Sequence, residues 1–412
     1  MQRPARPGSP PNSPRMTVPS ITAAAARLVV LAVVLLVAAL QPAAPGQDGD
    51  EPEPKVWPKC LECKTVGYLE CPDKLHKKHD LDREHEVAFC STMQGCETCA
   101  GLGRITCPDC ERPDVDAELA AEAAALPALV ELWSGYGEEM EFELTMVVTE
   151  HFELVFELES LKIDKRRKDR HEALHIYAMR LEELYADYLA TMTATDKDFR
   201  QRLRVFVWQL DSDQKRGSSV FCGSSAPSGV KLLGLNPSYS VCASKRYFKD
   251  DEALHRNLVH NVTHLLLSAQ QPIGWIGNKK KGWLDAGLAH YFEYRYFELC
   301  DNYCYQEQNT NQDFKGGKWK PAVRKLVAAD DLPGVGTVFS RNTDNLTLEE
   351  HAVAFSYVDY LLFKDAEKFN ALQIALHKDV DTRDALMEVF GLTPIGFEVE
   401  WKAWVEETYP RR

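Results

Sequence analysis

His260-Asn-Val-Thr-His264, followed by Trp283-Leu-Asp-Ala-Gly-Leu-Ala-His-Tyr-Phe-Glu293, is the stretch that decides how this chain is read. Histidines at i and i+4 of a helix place both imidazoles on one face. A helix grips a metal ion with that spacing. The working form reads H-E-x-x-H, in which the Glu takes a proton from metal-bound water. A third ligand, usually Glu, comes from the next helix. Here Asn261 stands at the base position and Ala286 at the third-ligand position. An amide cannot accept the proton, and losing a general base costs about 10²–10⁴ in rate. No catalytic residue is therefore expected, and Asn261 and Ala286 are the degenerate positions.

Working outward, the pattern alternates between strand and helix. Glu141 to Val148 and Phe152 to Leu158 alternate as strands do. Leu174, Tyr177, Ala178, Leu181, Leu184, Tyr185, Tyr188, Leu189 and Met192 repeat at helical spacing. Arg202 to Leu210 reads as a strand with Leu203, Val205 and Val207 on one face. Asp250 to Ser268 reads as a helix with Asp250 as its N-cap, and Trp283 to Glu298 as another. Three more follow, Glu349 to Lys364, Glu367 to Lys378 and Asp381 to Phe390, with Gly391 at the stop position. Sheet first and helices after predicts an α+β domain over 137–412.

That domain resembles the gluzincin group of zinc peptidases, specifically the bacterial peptidase MA-like family. Trp283-Leu-x-x-Gly287-Leu-Ala289-x-Tyr-Phe-Glu293 is similar to its W-L-x-E-G-x-A-x-Y motif. A strand and loop from Arg202 precede the first helix, as that fold requires. The chain end, Ala354-Phe-Ser-Tyr357-Val-Asp-Tyr360 through Gly391-Leu-Thr-Pro-Ile-Gly-Phe-Glu-Val-Glu-Trp401, looks like its closing helices. The resemblance implies a gluzincin-like fold whose site has lost its base and a ligand. His290 stands where such families often keep an acid that orients a ligand imidazole. Two readings follow. Either His260, His264 and His290 are vestiges on a retained scaffold, or they form a three-His metal site helped by Asp285 or Glu293. The first is expected, with no third metal in the cleft. Tyr357 marks the place of an oxyanion-stabilising phenol or a buried core Tyr; the core role is expected. Asn261-Val-Thr263 matches a glycosylation triplet, an accidental match on a central helix.

Eight of the twelve cysteines lie between Cys60 and Cys110, organised by an internal repeat. Cys60-Leu-Glu-Cys63, a spacer of seven, and Cys71-Pro-Asp-Lys74 align with Cys96-Glu-Thr-Cys99, a spacer of seven, and Cys107-Pro-Asp-Cys110. A duplicated C-x2-C knuckle at fixed spacing points to zinc. Disulfides are the alternative in an exported chain, and a redox role for Cys107-Pro-Asp-Cys110 is a third. The segment is too short and too poor in apolar residues to fold on its core alone. Structural zinc contributes about 10–16 kcal/mol in finger peptides, enough to hold it.

Cys96-Glu-Thr-Cys-Ala-Gly-Leu-Gly103 resembles the cysteine-rich zinc domain of DnaJ-type chaperones, over this segment only. No His-Pro-Asp tripeptide marks a J domain. The resemblance implies two structural zinc ions. Cys60, Cys63, Cys107 and Cys110 would share one, and Cys71, Cys96 and Cys99 the other. Lys74 occupies a ligand position and cannot serve, so Cys90 is the expected replacement, with His76 or His79 as alternatives. Sequentially local pairing would use the same eight cysteines. Outside the segment, Cys222 and Cys242 are expected to form a disulfide in a loop-rich stretch.

The N-terminus reads as a targeting segment. Arg3, Arg6, Arg15 and Arg27 precede an unbroken apolar run, Leu28 to Leu40. A membrane span needs about 20 residues, so this run suits a signal-peptide core; adding Ala23 to Ala26 makes an uncleaved anchor the alternative. The expected organisation is a signal peptide or anchor over 1–44, a linker over 45–56, the cysteine-rich double-zinc module over 57–113, a helical connector over 114–136, and the peptidase-like domain. The net charge of −14 over 412 residues argues against nucleic-acid binding. The expectation is a secreted or periplasmic zinc-binding protein, membrane-bound only if the first segment is uncleaved. Its inactive peptidase-like domain would bind or scaffold a protein or peptide partner. The alternatives are a metal-dependent hydrolase using His260, His264 and His290, and a thiol–disulfide or holdase activity carried by the cysteines.

Overall fold

The computed structural model describes residues 59–73, 87–303 and 314–412. The signal or anchor segment, the linker, and Lys74, His76, His79 and Cys304 lie outside the described residues. The chain is α+β, as expected, and 58–412 forms one compact unit.

A six-stranded sheet organises the molecule. Its strands are β2 (Phe89–Cys90), β4 (Met146–Val148), β5 (Phe152–Phe156), β8 (Leu203–Trp208), β9 (Gly229–Leu232) and β10 (Ser238–Cys242), in the order β2-β4-β5-β8-β10-β9. The β5–β8 and β8–β10 pairs are parallel and the rest antiparallel. Period-2 alternation decides which side chains go where. In β8, Leu203, Val205 and Val207 enter the larger core, as the sequence predicts. Phe206 and Trp208 point to the other face, into a second core with Phe89, Met146, Val148 and Val155. Helices cover both faces. α1 (Pro113–Met140) and α3 (Asp211–Cys222) supply Leu126, Tyr136, Met140 and Phe221 to the second core. α2 (Arg170–Met192) and α4 (Asp251–Ala269) pack into the larger one.

Local chemistry sets the helix ends. Asp169 and Glu172 form a reciprocal capping box at the start of α2. Asp250 caps α4 through the Ala253 N–H at 3.0 Å, as expected. After α4 the chain is helical: α5 (Gly282–Phe297), α6 (Trp319–Ala329), α7 (Val335–Phe339), α8 (Leu348–Lys364), α9 (Ala366–His377), α10 (Thr382–Phe390) and α11 (Pro394–Thr408). Gly391 ends α10 at φ 71°. Gly287 lets α5 lie against α8: a Cβ there would meet the Ala354 carbonyl oxygen at 2.6 Å. Tyr357, on α8, is a core residue packed on Phe397 and Trp401.

Two expectations are corrected. The stretch holding Cys222 and Cys242 is helix α3 and strands β9 and β10 rather than loop. Both thiols are free: Cys222 faces the Ser238 carbonyl and Cys242 lies 3.2 Å from Asp211 Oδ1. Residues 160–169 form a small hairpin, β6 (Ser160–Ile163) with β7 (Arg166–Asp169), that the sequence pattern did not reveal.

The cysteine repeat folds as a pseudo-symmetric pair around β1 (Tyr68–Glu70) and β3 (Arg104–Thr106), which pair antiparallel. Each half runs knuckle, strand and a Cys-Pro-Asp turn, Cys71 in the first half and Cys107 followed by Cys110 in the second. The Cys71 N–H donates to the Gly103 carbonyl at 2.8 Å, and the Cys107 N–H to the Gly67 carbonyl at 2.9 Å. Gly67 and Gly103 hold φ of 94° and 75°, a region that favours glycine. Each also points its N–H at a knuckle sulfur, Gly67 at Cys63 and Gly103 at Cys99, both at 3.2 Å.

Candidate metal centres and the histidine cleft

The pairing of β1 with β3 carries Cys71 to the second half's knuckle and Cys107 with Cys110 to the first half's. Cys60, Cys63, Cys107 and Cys110 gather with all sulfurs within 4.8 Å; so do Cys71, Cys96 and Cys99. This joins outer knuckle to outer half and inner to inner; sequentially local pairing is not what forms. The measured separations are 3.8 Å for Cys60–Cys107, 3.5 Å for Cys63–Cys110 and 3.7 Å for Cys71–Cys96. Zinc–sulfur bonds of about 2.3 Å at a tetrahedral angle put sulfurs about 3.8 Å apart. A disulfide needs about 2.05 Å, and every described cysteine is a free thiol.

The protonation pattern asks for a cation. Desolvation would raise Cys63, yet the Gly67 N–H and the neighbouring thiols hold it down at about 7. Desolvation and the other sulfurs push Cys110 up to about 12 and Cys71 up to about 11. Thiols this close cannot all ionise on their own; a bound divalent ion reverses that balance. Both clusters can hold a metal. Cys90 is not in the second one: it lies with His171 and His175.

The cleft is built by α4, α5 and α8. It brings His260 and His290 together, ring centroids 4.6 Å apart, with the His264 ring 5.1 Å from His260 and its Nδ1 on Asp285. His260 Nδ1 and His290 Nδ1 lie 3.0 Å and 3.1 Å from the same oxygen, Oε2 of Glu293. A carboxylate only accepts, so both imidazoles donate from Nδ1. His351 Nδ1 then donates to His290 Nε2 at 3.0 Å. Glu293 Oε1 takes the Asp301 and Asn302 backbone N–H groups and Asn302 Nδ2, at 2.8, 3.2 and 2.7 Å. His264 Nδ1 donates to Asp285 Oδ1 at 2.8 Å, while Asp285 Oδ2 accepts from Thr343 and Trp275.

The electrostatics follow from burial and these bonds. Burial lowers His260, and lowers His290 to about 4. His351 falls well below its ordinary value, again first through burial. Burial alone would raise Glu293, but His260 and His290 outweigh it and keep the carboxylate ionised. Asp285 is held at about 2 in the same way, by His264. His260, His264, His290 and Glu293 are all but sealed from solvent.

His260, His290 and Glu293 keep ligand-type atoms within 4.8 Å, but their bonds are directed at one another. Both His290 nitrogens and both Glu293 oxygens are engaged. Asn261 is engaged as well. Its Oδ1 accepts from Lys231 Nζ at 2.6 Å, and its Nδ2 donates to Tyr239 and to the Asn257 carbonyl. Asn261 is fully buried, which removes the glycosylation triplet from consideration. Ala286 is buried and brings no ligand atom. Sequence reasoning missed Lys231 and His351, which no local pattern marks. It also missed His171 and His175, whose i, i+4 spacing was visible.

No helix among the described residues is long and apolar enough to cross a membrane. Comparison with known protein families, with curated proteins and with solved structures finds no match for this chain.

Proposed function

We propose that this chain is a non-catalytic, zinc-stabilised binding or scaffolding protein for a protein or peptide partner. Two zinc ions organise the cysteine segment, and a peptidase-like domain of gluzincin type keeps its fold without its chemistry. One observation carries the reading: an amide, Asn261, stands where a base belongs, with the Lys231 ammonium on its oxygen at 2.6 Å, and Ala286 brings no ligand atom. A working site needs an open coordination position for water and a base to activate it. This cleft is closed, carries an amide where the base belongs, and admits a tethered cation instead.

The hydrolase reading is tested with the zinc-loaded full chain on unstructured protein and short peptides. No turnover above buffer is expected. Turnover abolished by His264→Ala would overturn the proposal. Zinc against disulfides is decided by thiol counting before and after chelation: the thiols of the two sulfur clusters should become reactive only once metal is withdrawn. Thiols that need a reductant instead would sink the zinc assignment.

A further inference from the structure

A third group of ligand side chains gathers away from the sulfur clusters and the histidine cleft. Cys90 belongs to β2, the two-residue edge strand contributed by the cysteine-rich segment. His171 and His175 stand one turn apart at the start of α2, whose first turn is fixed by the Asp169–Glu172 capping box. Their ligand atoms lie within 4.8 Å of one another, and all three residues are buried.

We propose that Cys90, His171 and His175 form a third metal site, for a divalent ion of the zinc class, that staples the cysteine-rich segment to the sheet and helix α2. Distance is the first support. Zinc bonds of about 2.3 Å to sulfur and 2.0–2.1 Å to nitrogen, at a tetrahedral angle, place the two donors about 3.6 Å apart. Cys90 Sγ and His175 Nε2 are 3.6 Å apart. The second support is the neighbour of the other imidazole. Thr92 Oγ1 lies 2.7 Å from His171 Nδ1 and 3.2 Å from Cys90 Sγ. Metal-bound imidazoles ordinarily keep such an oxygen on the ring nitrogen that does not face the metal. The third is donor chemistry: one thiolate with two imidazoles suits zinc or copper and excludes hard ions such as magnesium or calcium.

The placement gives the ion a task. β2 pairs with β4 through Phe89 and Cys90, flanked by the Ala88 N–H on the Val148 carbonyl and the Met146 N–H on Ser91 Oγ, a short edge strand that an ion on Cys90 would tie to α2. Cys90 and His175 are 85 residues apart, so one ion closes a long loop, and the entropy of closing it is removed once metal binds. The site also accounts for Cys90, which the second sulfur cluster does not use.

The test is cadmium-113 NMR of the full chain loaded with cadmium alone. Cadmium shifts separate sulfur-rich sites from a site with one sulfur and two nitrogens. Three resonances are expected, one of them at the one-sulfur position. His175→Gln should erase that resonance and keep the sulfur-rich pair. Wild-type protein showing sulfur-rich resonances only would overturn the proposal, whether or not the variant folds. So would a one-sulfur resonance that persists unshifted in a folded His175→Gln protein.

Discussion

The Lys231 ammonium lies 2.6 Å from the side-chain oxygen of Asn261, inside the histidine cleft. Lys231 is on the edge strand β9 and Asn261 one residue beyond His260 on α4, so the sheet delivers a positive charge to the imidazoles. Burial is the larger influence on His260 and His290, and the Lys231 charge acts in the same direction. A resident cation repels a second one, so the cleft disfavours a metal through Lys231 as well as through its missing ligand.

Placing carboxylates at positions 261 and 286 should therefore create no metal site while Lys231 remains. In Asn261→Glu with Ala286→Glu, the new carboxylate at 261 meets the ammonium and forms a buried pair with it instead of serving as a base. Zinc titration, with the cysteine sites already filled, should show no added equivalent. Adding Lys231→Met should reveal one. A double variant that binds zinc unaided would show that Lys231 is no obstacle.

Glu293→Gln should be among the most damaging single changes in the cleft. The carboxylate accepts from His260, His290, Asp301 and Asn302 at once. An amide of the same shape turns an NH₂ toward donors and leaves buried groups unpaired. Breaking a buried charge network of this kind costs about 3–5 kcal/mol. Denaturant unfolding measures it, and a loss below about 1 kcal/mol would mean that the network is not what holds α4 to α5.

Acid should weaken the fold through these imidazoles. His290 is lowered from 6.5 to about 4 by burial, so between those values the unfolded chain binds a proton that the native one does not. Stability then rises with pH. The contribution is complete above about 6.5 and is lost as pH falls toward 4, with a slope of about 1.4 kcal/mol per pH unit for each such histidine. His260 and His351 shift the same way and add to it. Unfolding of metal-depleted protein from pH 6 to 4, below the Cys63 value of about 7, reads the slope. A flat profile would contradict neutral, buried imidazoles.

How much of this was legible in the sequence depends on whether a feature is local. Leu203, Val205 and Val207 share a face because alternation is local, and Asp250 caps α4 because capping spans one turn. The knuckle repeat marked the cysteines that gather but left two pairings open, and the pairing of β1 with β3 decides between them. Cys90 was misplaced because counting cysteines says nothing of strand β2, whose register against β4 carries it to His171 and His175. Lys231 and His351 reach the cleft through sheet order and helix packing, which no spacing in the chain encodes. Asn261 and Ala286 could be read from the motif alone, but the Lys231 contact to Asn261 could not.

Withdrawing metal should melt the cysteine segment and spare the main body. Residues 59–73 pair with the rest mainly through β1 and β3, and their core cluster holds Cys71, Cys96, Cys99 and Ile105. With so little apolar burial, the metal is the folding energy there. Hydrogen exchange after chelation should show protection lost across β1 and β3 and retained in β5, β8 and α4. Uniform protection with and without chelator would mean that the segment folds on its own.

Two glycine-to-alanine changes should act in opposite directions. At Gly287 a Cβ would lie 2.6 Å from the Ala354 carbonyl oxygen and 2.9 Å from Val358 Cγ2. The first of these is backbone, so relief requires α5 and α8 to separate, and overpacking of this kind costs about 1–3 kcal/mol or more. At Gly135, inside α1, a Cβ meets nothing within 4 Å. Alanine there reduces the freedom of the unfolded chain and should stabilise by about 0.4–1 kcal/mol. Thermal unfolding of the two variants side by side decides the matter. A harmless Gly287→Ala would show that the surviving glycine of the Trp283–Glu293 frame is not kept for helix packing.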